Sequence, residues 1–137
     1  MPAKRRDVRE AAFLLSFEML FRDDSPEDIF ESAYEINEIN IDEEVENIVN
    51  NIYEKKSELD SIISKYSDKR TLNRIPKINL AILRLAIYEA LYDDKVPVNV
   101  AISEAVSLTQ KYAQEPDVAF VNGVLGALSK DFESKEQ

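Results

Sequence analysis

The sequence predicts an all-α fold, and three observations carry that prediction. Apolar residues recur at the three-to-four spacing of helices along most of the chain, and no stretch sustains the period-two alternation of a strand. Five prolines, at positions 2, 26, 76, 97 and 116, punctuate the helical pattern. With 137 residues, the chain has the length of a single domain that can bury a core without staples.

The elements follow in order. A first helix is expected from about Arg6 to Arg22, with Val8, Ala11, Ala12, Leu15 and Met19 as one apolar stripe. Phe13, Phe17 and Leu20 form a second patch that continues the side carrying Arg5, Arg6 and Arg9. Ser25-Pro26-Glu27-Asp28 opens the second helix, which runs to about Ile36: a capping Ser, a Pro preset for the first turn, and acids that suit the helix dipole. Asp42 caps a third, long stretch reaching about Tyr66, with a bend expected near Lys56-Ser57. Asn73-Arg74-Ile75-Pro76 interrupts the pattern, because the residue before a proline is pushed out of helical geometry.

The helix from Pro76 to about Tyr92 is apolar around most of its girth, as expected of the centre of a bundle. Val96-Pro97 starts an amphipathic helix to Tyr112, with Ala101, Ile102, Ala105, Leu108 and Tyr112 facing inward. Glu115-Pro116-Asp117 opens the last helix, to about Phe132. Asn122-Gly123 is a hairpin pair elsewhere, but its flanks do not alternate. A helix in which Gly123 permits close packing is therefore expected.

Composition removes whole classes of chemistry. The chain has no His and no Cys, so an imidazole base, a Cys-His or Ser-His-Asp nucleophile and a zinc site with N or S ligands are excluded. Two glycines three residues apart, Gly123 and Gly126, cannot build a phosphate loop or a dinucleotide fingerprint. No apolar run approaches the length of a membrane span, and the acids Asp7, Glu10 and Glu18 interrupt the apolar N-terminal stretch that would otherwise imitate a signal peptide. A cytoplasmic protein without cofactor or metal is expected.

Charge is unevenly spread. The chain totals −10, but residues 1–22 carry +2, residues 23–64 carry −12, residues 65–92 carry +4 and residues 93–137 carry −4. So acidic a protein repels nucleic acid at long range, and any polyanion site must be one of the two basic stretches. The acidic run from Asp23 to Asp60 lacks the spacing and the glycine of a calcium loop, and reads as a solvated face.

The block Lys4-Arg5-Arg6-x-x-Arg9 brings guanidinium groups to one side of a helix start, with Phe13 and Phe17 one and two turns on. Arginine forks suit phosphate, and a basic patch beside aromatic rings is a common way to hold single-stranded RNA. The alternative for this block is a solvated basic end. Arg84, set in so apolar a helix, needs a partner: Tyr88 or Glu89 within the helix, or another protein. Phe120, near the start of the last helix, suits either the core or a stacked base.

Four motifs in order give the chain a family resemblance: Arg5-Arg6-x-x-Arg9-Glu10-Ala11-Ala12, Leu72-Asn73-Arg74-Ile75, Ile82-Leu83-Arg84-Leu85-Ala86-Ile87-Tyr88-Glu89 with Val96-Pro97-Val98-Asn99-Val100-Ala101, and Phe120-Val121-Asn122-Gly123-Val124-Leu125. Together they resemble the NusB family of bacterial transcription antitermination factors. The same helical domain is similar to the N-terminal part of certain rRNA cytosine methyltransferases. The chain stops where their catalytic part would begin, so the free-standing factor is the expectation.

The resemblance implies two packed three-helix bundles and no enzymatic activity. It implies binding of boxA RNA together with ribosomal protein NusE, loading of an antitermination complex on RNA polymerase during rRNA transcription, and a homodimer when free. By position, it implies RNA contacts from Lys4, Arg5, Arg6, Arg9, Phe17, Asp117 and Phe120, and a NusE surface with Asn79 and Arg84. The alternative is a helical protein–protein adaptor that does not touch RNA. Three positions depart from the family pattern: Ala119 stands where a basic residue is usual, Pro116 where an Asp is usual, and Asp7 where some members have Arg.

Overall fold

Almost every helix begins at the punctuation the sequence supplies. The computed structural model describes residues 5–36, 41–67 and 72–136, and among them the regular structure is seven α-helices and one short 3-10 turn. They fall into two compact units, Met1–Lys55 and Lys56–Gln137.

The first unit contains α1 (Arg5–Arg22), α2 (Pro26–Ile36) and α3 (Glu43–Glu54), each in contact with the other two. Val8, Ala11, Ala12, Leu15 and Met19 are buried, as the stripe predicts. Phe13, of the second apolar patch, is fully buried as well and belongs to the core. Asp23 ends α1 in the left-handed region at φ 55°, a conformation that a short polar side chain tolerates, and its N–H bonds the Met19 carbonyl at 2.8 Å. The caps also fall at the expected residues. Ser25 Oγ accepts from the Asp28 N–H at 3.3 Å, and Asp42 Oδ1 accepts from the Val45 N–H at 3.0 Å.

The expected long helix from Asp42 to Tyr66 is two helices. Lys55, at φ −96° and ψ 8°, leaves helical geometry between α3 and α4 (Lys56–Tyr66). Val45 and Val49 then pack with α1 and α2, whereas Leu59 and Ile63 belong to a helix that packs with α5 and α7. The break sends the two halves of one stripe to different cores. The second unit holds α4 together with the three helices that follow it.

In the second unit, a 3-10 turn at Leu72–Arg74 precedes α5 (Lys77–Tyr92), followed by α6 (Val98–Tyr112) and α7 (Glu115–Glu136). Leu80 to Leu83 and Leu85 to Glu89 are all buried, so α5 is covered by α4, α6 and α7 as a central helix must be. On α6, Ala101, Ala105 and Leu108 are buried, while Ile102 and Tyr112 are only half-buried. Helix α7 runs unbroken through Asn122-Gly123, burying Val121, Val124, Leu125 and Leu128. Gly123 does not serve close packing: a Cβ placed there meets no atom within 4 Å. Among the described residues, no helix is long and apolar enough to cross a membrane.

Candidate nucleic-acid interface

In the first unit, Arg5 and Arg6 stand exposed in the first turn of α1. A helix N-terminus already carries positive partial charge from unpaired N–H groups, so arginines there are placed against the helix dipole. Such a local conflict marks a functional position more often than a structural one. The result is a concentrated positive potential, which Asp7, also exposed, partly offsets. Arg5 Nη1 donates to Glu44 Oε1 of α3 at 3.1 Å.

Arg9 differs from its neighbours. It is only 6% exposed and is engaged within the folded chain. Its row explains why: Arg5, Arg9, Phe13, Phe17 and Phe21 are spaced four apart, and the middle of that row turns into the core at Phe13. Phe13 stacks on Phe17 with ring centroids 5.9 Å apart and planes 6° from parallel, and Phe17 meets Phe21 edge-on at 5.0 Å. Phe17 is half-buried, whereas Phe21 is 63% exposed. The series anchors in the core at one end and offers a ring to solvent at the other. Lys4 lies outside the described residues.

The remaining expected residues lie in the second unit. Phe120 is half-buried on α7 beside a hollow of about 410 Å³, lined also by Tyr66, Ser67, Ala119, Gly123, Val124 and Ala127. Asp117 has both carboxylate oxygens occupied. Asn79 Nδ2 donates to Oδ1 at 2.9 Å, and the Gln114 N–H, at the residue before α7, donates to Oδ2 at 3.1 Å. The second contact is half of a capping box and fixes the start of the helix. Asn79 is itself buried, 1% exposed, and its Oδ1 has no hydrogen-bond partner. Of the second basic stretch, Lys65, Arg74 and Lys77 are exposed, with the Lys65 ammonium 5.2 Å from the Tyr66 ring centre.

Arg84 finds its partner outside its own helix. Its Nε and Nη2 donate to Asp60 Oδ1 and Oδ2 of α4, both at 2.7 Å, with side chains 14% and 17% exposed. This two-pronged clamp replaces the expected contacts to Tyr88 or Glu89. It turns the Arg84 guanidinium toward its own unit.

Asp60 and Asp131 carry weight that the sequence pattern does not announce. Asp131 accepts a hydrogen bond from the Tyr66 hydroxyl, which raises the phenol above its ordinary value of 10.0, with burial adding to the effect. Tyr34 is raised mainly by its bond to Glu46, and Tyr92 mainly by its bond to Glu58. Among the described residues, no cluster of carboxylates could hold a metal ion. What the arrangement offers is cation, ring and hydrogen-bonding surface.

Comparison with known proteins then decides the family. The NusB family matches residues 6–130 of the chain. The chain belongs to the NusB family. It is 41% identical over 133 residues to the transcription antitermination protein NusB of Clostridium acetobutylicum, a match covering 96% of this chain and 98% of that one. With the NusB protein of Acetivibrio thermocellus it shares 40% identity over 129 residues, covering 92% and 88% respectively. A crystal structure of the antitermination factors NusB and NusE in complex with dsRNA contains a chain similar to this one, with a TM-score of 0.79 and 28% identity, covering 93% of this chain and 96% of that one.

Ala119 is exposed beside Phe120 and brings no charge to it. Pro116 sits in the first turn of α7, and Asp117 is committed to Asn79 and Gln114. The exposed cations in the first turn of α1 are Arg5 and Arg6.

Proposed function

We propose that this protein is a transcription antitermination factor that binds boxA RNA together with ribosomal protein NusE and promotes antitermination of rRNA transcription. It works by recognition and assembly rather than by catalysis. The observation that carries the reading is the family match over residues 6–130, shared with relatives named transcription antitermination protein NusB. The neighbour in complex with NusE and dsRNA supports RNA and NusE as the partners. On this chain, we assign phosphate contact to Arg5 and Arg6, ring contact with the RNA to Phe17 and Phe120, and the NusE surface to Asn79 and Arg84. The antitermination complex on RNA polymerase is the assembly it serves, and the free chain forms a homodimer.

A polarisation assay with boxA RNA and a scrambled control, with and without NusE, tests the reading. A chain carrying −10 overall binds RNA weakly alone and more tightly with NusE. Replacing Arg5 and Arg6 by Ala weakens binding and lowers the slope of log affinity against log salt by about 0.7 per lost phosphate contact. Adding Arg9→Ala tests the whole cluster, with folding checked because Arg9 is buried. Unchanged affinity and slope in the double and triple variants would place the RNA elsewhere. NusE binding that is indifferent to RNA would favour a protein adaptor. Native mass measurement of the chain alone reads the homodimer.

A further inference from the structure

The contact between Arg5 and Glu44 joins the first residue of α1 to the first turn of α3, inside the first unit. It is a single-pronged pair, Nη1 to Oε1 at 3.1 Å, between side chains 40% and 51% exposed. Glu44 does not depend on Arg5 for its place. Glu44 lies in the first turn of a helix that Asp42 already caps, where a carboxylate is favourable on its own. Arg5 sits at a helix start, where the dipole opposes a cation and any nearby anion is favourable. A pair of this kind contributes little to stability and exchanges readily. A phosphate group, with several anionic oxygens, matches the two-pronged guanidinium fork better than the one carboxylate oxygen that Glu44 presents.

We propose that the Glu44 carboxylate occupies the place of an RNA phosphate on Arg5, so that RNA binding displaces Glu44 and this residue sets the affinity of that subsite. The proposal rests on the RNA-binding function given above. It goes beyond that function in naming an acidic residue that competes with the ligand. Glu43, exposed one residue earlier in the same turn, supplies a control of equal charge.

The test measures boxA RNA binding by the full chain with NusE for Glu44→Gln, Glu43→Gln and Arg5→Ala, and for Glu44→Gln in the Arg5→Ala background. Glu44→Gln should raise affinity roughly two- to fivefold, the range that loss of an exposed ion pair allows. It should also steepen the salt slope by up to about 0.7. Glu43→Gln should give a smaller gain, and Glu44→Gln should give none once Arg5 is gone. Equal gains from both glutamines, or a gain that survives Arg5→Ala, would reduce the effect to net charge and overturn the proposal, as would no gain at all. Wild-type binding that prefers boxA to the scrambled control keeps the functional reading intact when the Glu44 proposal fails. Absence of that preference removes both. Circular dichroism of each variant confirms that α3 is retained.

Discussion

The two units use arginine in opposite ways. In Met1–Lys55, six basic side chains face fifteen acidic ones, a net of −9, yet Arg5 and Arg6 stay exposed. In Lys56–Gln137, the balance is near neutral at −1, and Arg84 is clamped by both oxygens of Asp60. Arg5 and Arg84 each pair with a carboxylate, but one pair is exposed and single-pronged and the other is mostly buried and two-pronged. Burial and geometry, rather than residue type, separate an exposed ion pair that adds little to stability from a clamp that holds a fold together.

Substitutions can break or sharpen that contrast. The largest effect is expected where the first unit's own ring series enters the core. Phe13→Ala should cost about 3–5 kcal/mol, the range for a fully buried Phe. Phe21→Ala, at the exposed end of the same series, should cost under about 1 kcal/mol. Thermal melts of the two variants compare them. Similar losses would mean that the series is one structural unit, with no solvent-facing end available to a ligand.

Next comes the clamp. Arg84→Ala should cost about 2–4 kcal/mol, because it leaves Asp60 unpaired and only 17% exposed. Asp60→Ala should cost a similar amount, and the Arg84→Ala Asp60→Ala double variant less than the sum of the two. Arg5→Ala and Arg6→Ala should change stability by no more than about 0.5 kcal/mol. Urea unfolding followed by helical signal gives all of these numbers. A stability loss at Arg5 as large as at Arg84 would erase the distinction between the units.

Much of this layout is legible in the sequence. Ser25, Asp42, Pro76 and Pro97 mark helix starts because capping and the proline ring act within a few residues of the chain. Partners across the fold are not legible in the same way. Asp60 meets Arg84 only after α4 packs on α5, and Asp117 is taken by Asn79 from 38 residues away. The bend expected near Lys56-Ser57 is a full break at Lys55; the apolar spacing passes through it, and only the choice of packing partner on each side turns the bend into two helices. Arg9 is a different kind of miss. An arginine four residues before a core Phe on one helix face already points toward the interior, and its long stem can be buried there.

The smallest effect concerns a tyrosine of the second unit. Tyr66 donates to Asp131, a bond that holds its phenol above 10.0 in the folded chain, and burial adds to the shift. A proton held more tightly in the folded state than in the unfolded one stabilises the fold below the unfolded value. That contribution is lost as pH rises from about 10 through the raised folded value. Because the side chain remains partly in water, Tyr66→Phe should cost only about 0.5 kcal/mol at neutral pH. The difference between the two proteins should shrink above pH 10, as the wild-type phenol ionises beside Asp131. Unfolding followed at pH 8 and again above pH 10 measures it. No difference at pH 8 would mean that the ring, and not the hydroxyl bond, is what Tyr66 contributes to the second unit, and a difference constant across the range would mean that the bond to Asp131 does not raise the phenol.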